Sequence, residues 1–260
     1  MERVKFVGRW KLIAAAGSVL LIGGAGAYGW VLHDRPQPLG LISPVSQTPA
    51  PPPSSGDPLS QVCRPPAMPV GGTKNNVAGL WVVQPASLVG YRAHEKFAGL
   101  PSPHEAVART DRVRGWLLVM GDASNAQLVT GCVAVQLDSF RSVDHLPGFN
   151  VADRDEITRN LLNVAAHPYG VFQPFPAALN PEIALGSTVR MKVSGALELN
   201  GSGLPATFPF DLRFASGQVA AAGRTTVDAR AYGIDVPQAS DFVVVDPQIT
   251  LEISLVLLKQ

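Results

Sequence analysis

Five histidines, His33, His94, His104, His145 and His167, are the residues a metal centre would draw on. No two of them form an H-x-H or H-E-x-x-H pair, and the two cysteines, Cys63 and Cys132, have no C-x-x-C spacing. No metal site is expected from such a pattern. A serine nucleophile would sit in a G-x-S-x-G elbow, which is absent, and Gly201-Ser202-Gly203 reads instead as a hairpin loop. Asp153, Arg154 and Asp155 have the residue types of an acid–base cluster. The simpler reading makes Asp153 a helix N-cap with Glu156 completing a capping box, and gives Arg154 a carboxylate partner that locks the helix to the mouth of the β structure. Neither a catalytic residue nor a cofactor is expected, and a hydrolase is the weakest of the functional readings.

The elements that carry these residues are mostly strands. From Val189 the apolar side chains fall on alternate positions (Val189, Met191, Val193, Leu197, Leu199), against Arg190, Lys192, Ser194, Glu198 and Asn200. A break over Asn200–Pro205 leads into a second alternating run in which Phe208, Phe210, Leu212 and Phe214 oppose Thr207, Asp211 and Arg213. This is the pattern of an antiparallel hairpin with one dry face, and two strands alone cannot cover that face. The net charge of +1 leaves no basic footprint for nucleic acid. With 16% charged residues, 25 Gly and 23 Pro, the composition suits turn-rich β structure rather than a helical bundle.

Residues 12–32 carry no charge, and a helix of about 20 such residues spans a bilayer. Arg3, Lys5, Arg9 and Lys11 precede them, so the bias of positive charge to the inside predicts residues 1–11 in the cytoplasm and the rest of the chain outside. A cleaved signal peptide with Ala25-Gly26-Ala27 as its site is the alternative; the apolar run continues past that site, which favours an uncleaved single-pass anchor. Both readings export the remainder of the chain. Residues 33–76 are rich in Pro, Ser and Gln and are predicted to be a linker, semi-rigid at about 3.1 Å per residue.

The folded domain is expected over residues 77–260. Short half-buried strands are read at Leu80–Val83, Ser87–Glu95, Val107–Val119, Gln127–Phe140 and Val171–Phe175, then the hairpin, Gln218–Tyr232 and Phe242–Leu257. One amphipathic helix begins near Asp153, contains Leu161, Leu162 and Val164, and is stopped by Pro168. There is no βαβ alternation, so a closed antiparallel barrel of about eight strands is the simplest architecture. No acidic or basic residue is found among the predicted inward positions of the hairpin and of Ile249, Leu251 and Ile253. In an exported protein a Cys63–Cys132 bridge would staple the end of the linker to the wall, free thiols being the alternative.

From about Leu80 to Lys259 the chain resembles the YceI-like domain, a lipocalin-like eight-stranded barrel that binds polyisoprenoids and related lipids in the bacterial cell envelope. The resemblance rests on Ser87-Leu88-Val89-Gly90-Tyr91-Arg92, on Gly115, and on Arg154-Asp155 with Leu161-Leu162. It continues through His167-Pro168-Tyr169-Gly170-Val171-Phe172, with His where the family has Tyr, Val193 to Gly201, and Ala231-Tyr232-Gly233-Ile234. Asn160-Leu161 stands where the family often shows His-Leu. The family implies binding without catalysis: a polyisoprenoid or other long-chain lipid enters the barrel, with ~0.8 kcal/mol for each CH₂ removed from water.

The candidate apolar wall is Tyr91, Phe140, Phe172, Leu197, Phe208, Phe210, Phe214, Tyr232 and Phe242, and a phosphorylated headgroup would meet Arg92, Arg154 or Arg159. The membrane would be reached through the N-terminal helix. A non-enzymatic envelope scaffold with a filled barrel is the competing reading.

Overall fold

The computed structural model describes residues 35–42, 56–67, 77–98, 103–122, 124–146, 149–180, 187–215, 217–238 and 242–260. Pro38–Gln260 form one compact unit. The predicted membrane helix at residues 12–32 lies outside the described residues, among which no helix is long and apolar enough to cross a membrane. The described elements, in chain order, begin with α1 (Pro58–Val62), β1 (Gly79–Val83), β2 (Leu88–Phe97), β3 (His104–Thr110), β4 (Val113–Met120), β5 (Gln127–Gln136) and β6 (Arg141–Ser142). They continue with α2 (Val151–Leu161), β7 (Tyr169–Pro174), β8 (Ala177–Ala178), β9 (Thr188–Leu199), β10 (Ser202–Ala215), β11 (Gln218–Asp228), β12 (Val243–Val245) and β13 (Gln248–Lys259).

Eight antiparallel strands close a ring in the order β1-β4-β5-β7-β9-β10-β11-β13, the last pairing back onto β1 through Val83↔Leu257 and Trp81↔Lys259. The hairpin β9–β10 is its longest ladder, in register from Arg213↔Thr188 to Ser202↔Leu199. Val189, Val193, Leu197 and Leu199 face Phe208, Phe210, Leu212 and Phe214 from the buried side, as the alternation predicts. The connection is shorter than the predicted Asn200–Pro205 loop. Asn200 (φ 48°) and Gly201 (φ 73°) alone make the turn, the two positive dihedrals of a type I′ hairpin, and Leu204 and Pro205 already belong to the strand.

The strands read at Leu80–Val83 and Ser87–Glu95 are separate, as expected, while the stretch read as Val107–Val119 is broken. β1 and β2 lie end to end along β13, which pairs β2 over Thr250–Ser254 and β1 over Leu257–Lys259. Between them Ser87 stands in for the missing ladder: its hydroxyl accepts from Val256 N–H at 3.0 Å, and Gln84 N–H donates to Val256 O at 2.8 Å. A buried backbone pair is thereby satisfied without a continuous strand. The predicted Val107–Val119 strand is β3 and β4 with Asp111 and Arg112 between them. β4 stays with β5, while β3 leaves the ring and pairs β6. The barrel opens at that end, where α2 lies.

The stretch 33–76 is not uniformly linker. Leu39 N–H reaches Glu252 Oε2 at 3.4 Å, Ser254 Oγ donates to Gly40 O at 2.7 Å, and Leu39 Cδ1 lies against Gly90. A second piece, α1, is capped by Asp57 and packs Leu59 and Cys63 on Cys132 and Ala134, the outer face of β5. Cys63 and Cys132 form a disulfide with Cα atoms 5.4 Å apart, and Arg114 donates to Asp57 at 3.1 Å. These two pieces explain why β5 and β13 are buried on both faces where a half-buried strand was expected.

Candidate functional site

Inside the wide end is an apolar chamber of about 380 Å³. Its walls come from the inward face of β2 (Val89, Tyr91, Ala93), from β5 and β7 (Val133, Val135, Phe172), from β9 and β10 (Leu197, Leu199, Phe208) and from β13 (Ile249, Leu251, Ile253). The helix α2 covers it with Ile157, Thr158 and Leu161, joined by Leu162 just past the helix end. A smaller hollow of about 90 Å³ lies further down the barrel, between Trp81, Leu117, Phe210, Leu212 and Leu257. Val133 and Phe172 line both.

Of the nine predicted wall residues, Tyr91, Phe140, Phe172, Leu197, Phe208 and Phe242 line the main chamber. Phe210 lines only the smaller hollow, and Phe214 packs edge-on against Trp81 at 5.7 Å at the narrow end. Tyr232 is 2% exposed in the 3₁₀ turn after β11 and lines neither. One side of the mouth is made by three rings, Phe97, Phe149 and Phe242, with centroids 5.0 to 5.7 Å apart, and of these only Phe242 was among the predicted wall. Phe149, Phe242 and Ile157 are all exposed as well as lining the chamber.

The three candidate headgroup arginines are dispersed. Arg92 is on the outer wall, 8% exposed, and donates at 2.8 Å to both Glu105 and Glu252, a carboxylate 1% exposed beneath Leu39. Its position follows from the alternation that points Tyr91 and Ala93 inward. Arg159 does not line the chamber and makes no ion pair among the described residues. Arg154 does line it, and its guanidinium is already engaged: it donates to Glu95 Oε2 (3.2 Å), Asp144 Oδ1 (2.5 Å) and Ser142 Oγ (2.8 Å).

That arginine organises the mouth. Asp144 also accepts from Val107 N–H at 2.9 Å and sits 2.7 Å from His104 Nε2. Burial alone would raise the Asp144 carboxyl, but the hydrogen bonds from His104, Arg154 and Val107 outweigh it and hold the group at about 2. Burial raises Glu95 despite Arg154 beside it, and burial pushes Tyr91, whose hydroxyl is 3.5 Å from Thr158 Oγ1, up to about 12. Asp155 accepts from Ser142 N–H and Oγ, so α2 is fixed to β6 by one carboxylate and to β2 and the Asp144 loop by one arginine. The expectation of an interior without charge is corrected here: Glu95 and Arg154 both face the chamber. Glu95 was within reach of the period-2 pattern that runs through Tyr91 and Ala93.

The predicted cap is corrected too. Asn150, not Asp153, caps α2 by accepting from Ala152 N–H, and its amide donates to Asp153 Oδ1 at 2.9 Å, which places Asp153 at the third helical position. The helix therefore starts three residues earlier than expected, with an Asn cap linked side chain to side chain to Asp153 in place of a capping box. The expected pairing of Arg154 with carboxylates that lock the helix to the barrel mouth is present, the partners being Glu95 and Asp144. Among the described residues no group of three His, Cys, Asp or Glu side chains is placed to hold a metal ion.

A family comparison settles the class of this arrangement: the YceI-like domain matches residues 86–257. The chain belongs to the YceI-like domain family. Among solved structures it is similar to Burkholderia cenocepacia BcnA, at 16% identity and a TM-score of 0.48 over 67% of this chain and 98% of that one. It is also similar to a polyisoprenoid binding domain from Saccharophagus degradans implicated in plant cell wall breakdown (13% identity, TM-score 0.47, 69% and 98% covered). A Campylobacter jejuni YCEI protein matches at 10% identity and a TM-score of 0.39, covering 56% of this chain and 81% of that one. No curated protein matches the chain.

Proposed function

We propose that this YceI-like protein binds a lipid, taking a polyisoprenoid or similar apolar chain into the wide half of its barrel. The observation that carries the reading is the chamber itself: about 380 Å³ of space in the wide end of the barrel, walled mostly by aliphatic and aromatic side chains. Volumes of roughly 300 to 1,000 Å³ are those of small-molecule sites. An interior of this kind is a poor host for anything but hydrocarbon, since a polar ligand would lose its hydration without finding partners. The filled-barrel scaffold describes only the narrow half, where Phe210, Phe214 and Trp81 occupy the space.

At the mouth, Arg154 is balanced by Glu95 and Asp144, and Arg92 is committed to the outer wall. An uncharged head such as an alcohol or a carbonyl therefore suits this rim better than a phosphate, which would have to displace two carboxylates to reach the guanidinium. The cell-envelope location belongs to the same proposal. It is supported by the uncharged stretch at residues 12–32 behind four basic residues and by the Cys63–Cys132 disulfide, a bond that persists in oxidising compartments. The membrane anchor and the ligand are tested together by purifying the full chain from membranes and extracting it for mass spectrometry. A co-purifying isoprenoid, or saturable uptake of added farnesol, is expected. Protein that yields no lipid and takes up none refutes the proposal.

A further inference from the structure

The chamber does not run the length of the barrel, because a layer of rings crosses it. Phe172 on β7 meets Phe208 on β10 edge-to-face at 5.1 Å, and Phe208 stacks on Phe210 at 5.7 Å with 27° between planes. All three are buried, Phe208 to 1% exposure. Above the layer is the 380 Å³ chamber and below it the 90 Å³ hollow. The layer is seated on glycines. A Cβ on Gly195 would come within 2.7 Å of the Phe172 ring, and one on Gly223, which pairs with Phe210 across β10–β11, within 2.6 Å of the Phe210 ring. β9 and β11, the strands on either side of β10, thus each give up a side chain where a ring needs the space.

We infer that the Phe172–Phe208–Phe210 layer is a floor that sets the chain length the protein prefers. The inference rests on the lipid-binding reading above. Water-sized groups occupy about 30 Å³ each and a methylene is of similar size, so the 380 Å³ chamber holds about a dozen carbons, two to three five-carbon isoprene units. A longer chain entering from the mouth meets the floor and leaves its remainder outside, where added length contributes nothing. Removing the Phe208 ring, which lines the chamber, takes away six carbons and so makes room for about as many. The floor then drops by about one isoprene unit.

The test is displacement of an apolar fluorescent reporter, N-phenyl-1-naphthylamine, from the full-length oxidised protein by geraniol, farnesol, geranylgeraniol and a long polyprenol. For the wild type, binding should tighten at least about tenfold from geraniol to farnesol, then change by less than about threefold with each longer chain. Phe208→Ala should shift that plateau to geranylgeraniol or beyond. Phe208→Leu, which keeps an aliphatic side chain in the core in case the alanine variant does not fold, should shift it in the same direction by less. A wild type whose affinity keeps climbing to the polyprenol, or a folded Phe208 variant with wild-type chain preference, overturns the floor and leaves lipid binding standing. A wild type that binds none of the four alcohols overturns the lipid reading itself.

Discussion

Reducing the Cys63–Cys132 bond should cost this protein more than any exposed substitution, without unfolding the barrel. The bond closes a loop of 69 residues, and the chain-entropy relation assigns such a loop ~4 kcal/mol at room temperature. That figure acts through the unfolded chain. The ring of strands does not depend on the bond, and domains of ordinary stability, about 5 to 15 kcal/mol, survive such a loss. Something local changes as well. Helix α1 is five residues long, too short to persist by its own hydrogen bonds, and it is held to β5 by the disulfide, by Leu59 at 0% exposure and by the Asp57–Arg114 pair. Burial of one leucine contributes ~1.5 to 3 kcal/mol, which with the Asp57–Arg114 pair must hold the strap once the sulfurs part.

Urea unfolding followed by tryptophan fluorescence, with and without reductant, reads the first effect. With a slope of about 2 to 3 kcal/mol per molar, the midpoint should fall by about 1.5 M. Leu59→Ala reads the second: in oxidised protein it should cost ~2 to 5 kcal/mol, and in reduced protein clearly less if the strap has already lifted. Two titratable thiols in unfolded, never-reduced protein, or a midpoint that reductant leaves in place, would refute the reasoning.

Two further outcomes concern the mouth. Arg154→Ala leaves Glu95 and Asp144 buried without their shared cation and should destabilise by ~3 to 5 kcal/mol, whereas Arg154→Ala combined with Glu95→Gln and Asp144→Asn should recover part of that loss in thermal melts. The Asp144 carboxyl is held at about 2 in the folded protein against an ordinary value near 4, so its contribution, ~2 kcal/mol, is present above about pH 4 and disappears as pH falls toward 2. Asp144→Asn should flatten the acid limb of stability against pH. Glu95, raised by burial, titrates with the opposite sign, favouring the folded state as pH falls, and Glu95→Gln should remove that gain.

Much of the ring was legible because its strands obey a simple rule. In β9 and β10 one face is dry and the other wet, so alternation from Val189 to Phe214 gave both the pairing and the inward set. The rule loses its grip where both faces are buried. In β13 every residue from Glu252 to Leu257 is buried, and nothing in the sequence says that Glu252 is covered by Leu39 more than two hundred residues away. The two straps were hidden for a related reason. Leu39 and Leu59 stand in short apolar groups (Leu39, Leu41, Ile42; Leu59, Val62, Cys63) between prolines, too short to sustain a period.

The mouth was hidden by dispersion: Glu95, His104, Asp144 and Arg154 come from four elements and share no spacing, and each alone reads as a solvated charge. The chamber walls were half legible. Tyr91, Phe172 and Phe208 follow from the faces, but which level of the barrel a ring occupies depends on strand stagger. That is why Phe210 and Phe214 fell below the space their neighbours enclose.

The ring's closing strand also has a practical consequence for anyone trimming this protein. The family match starts at residue 86, yet β1, which joins β4 to β13, ends at Val83. A fragment begun at the family boundary would lack that stave. The end of β13 and the flank of β4 would be left as raw edges that invite a second molecule to complete the hydrogen bonding. Such a fragment should recover as aggregates or swapped oligomers, while one begun ahead of Pro38 should stay dispersed.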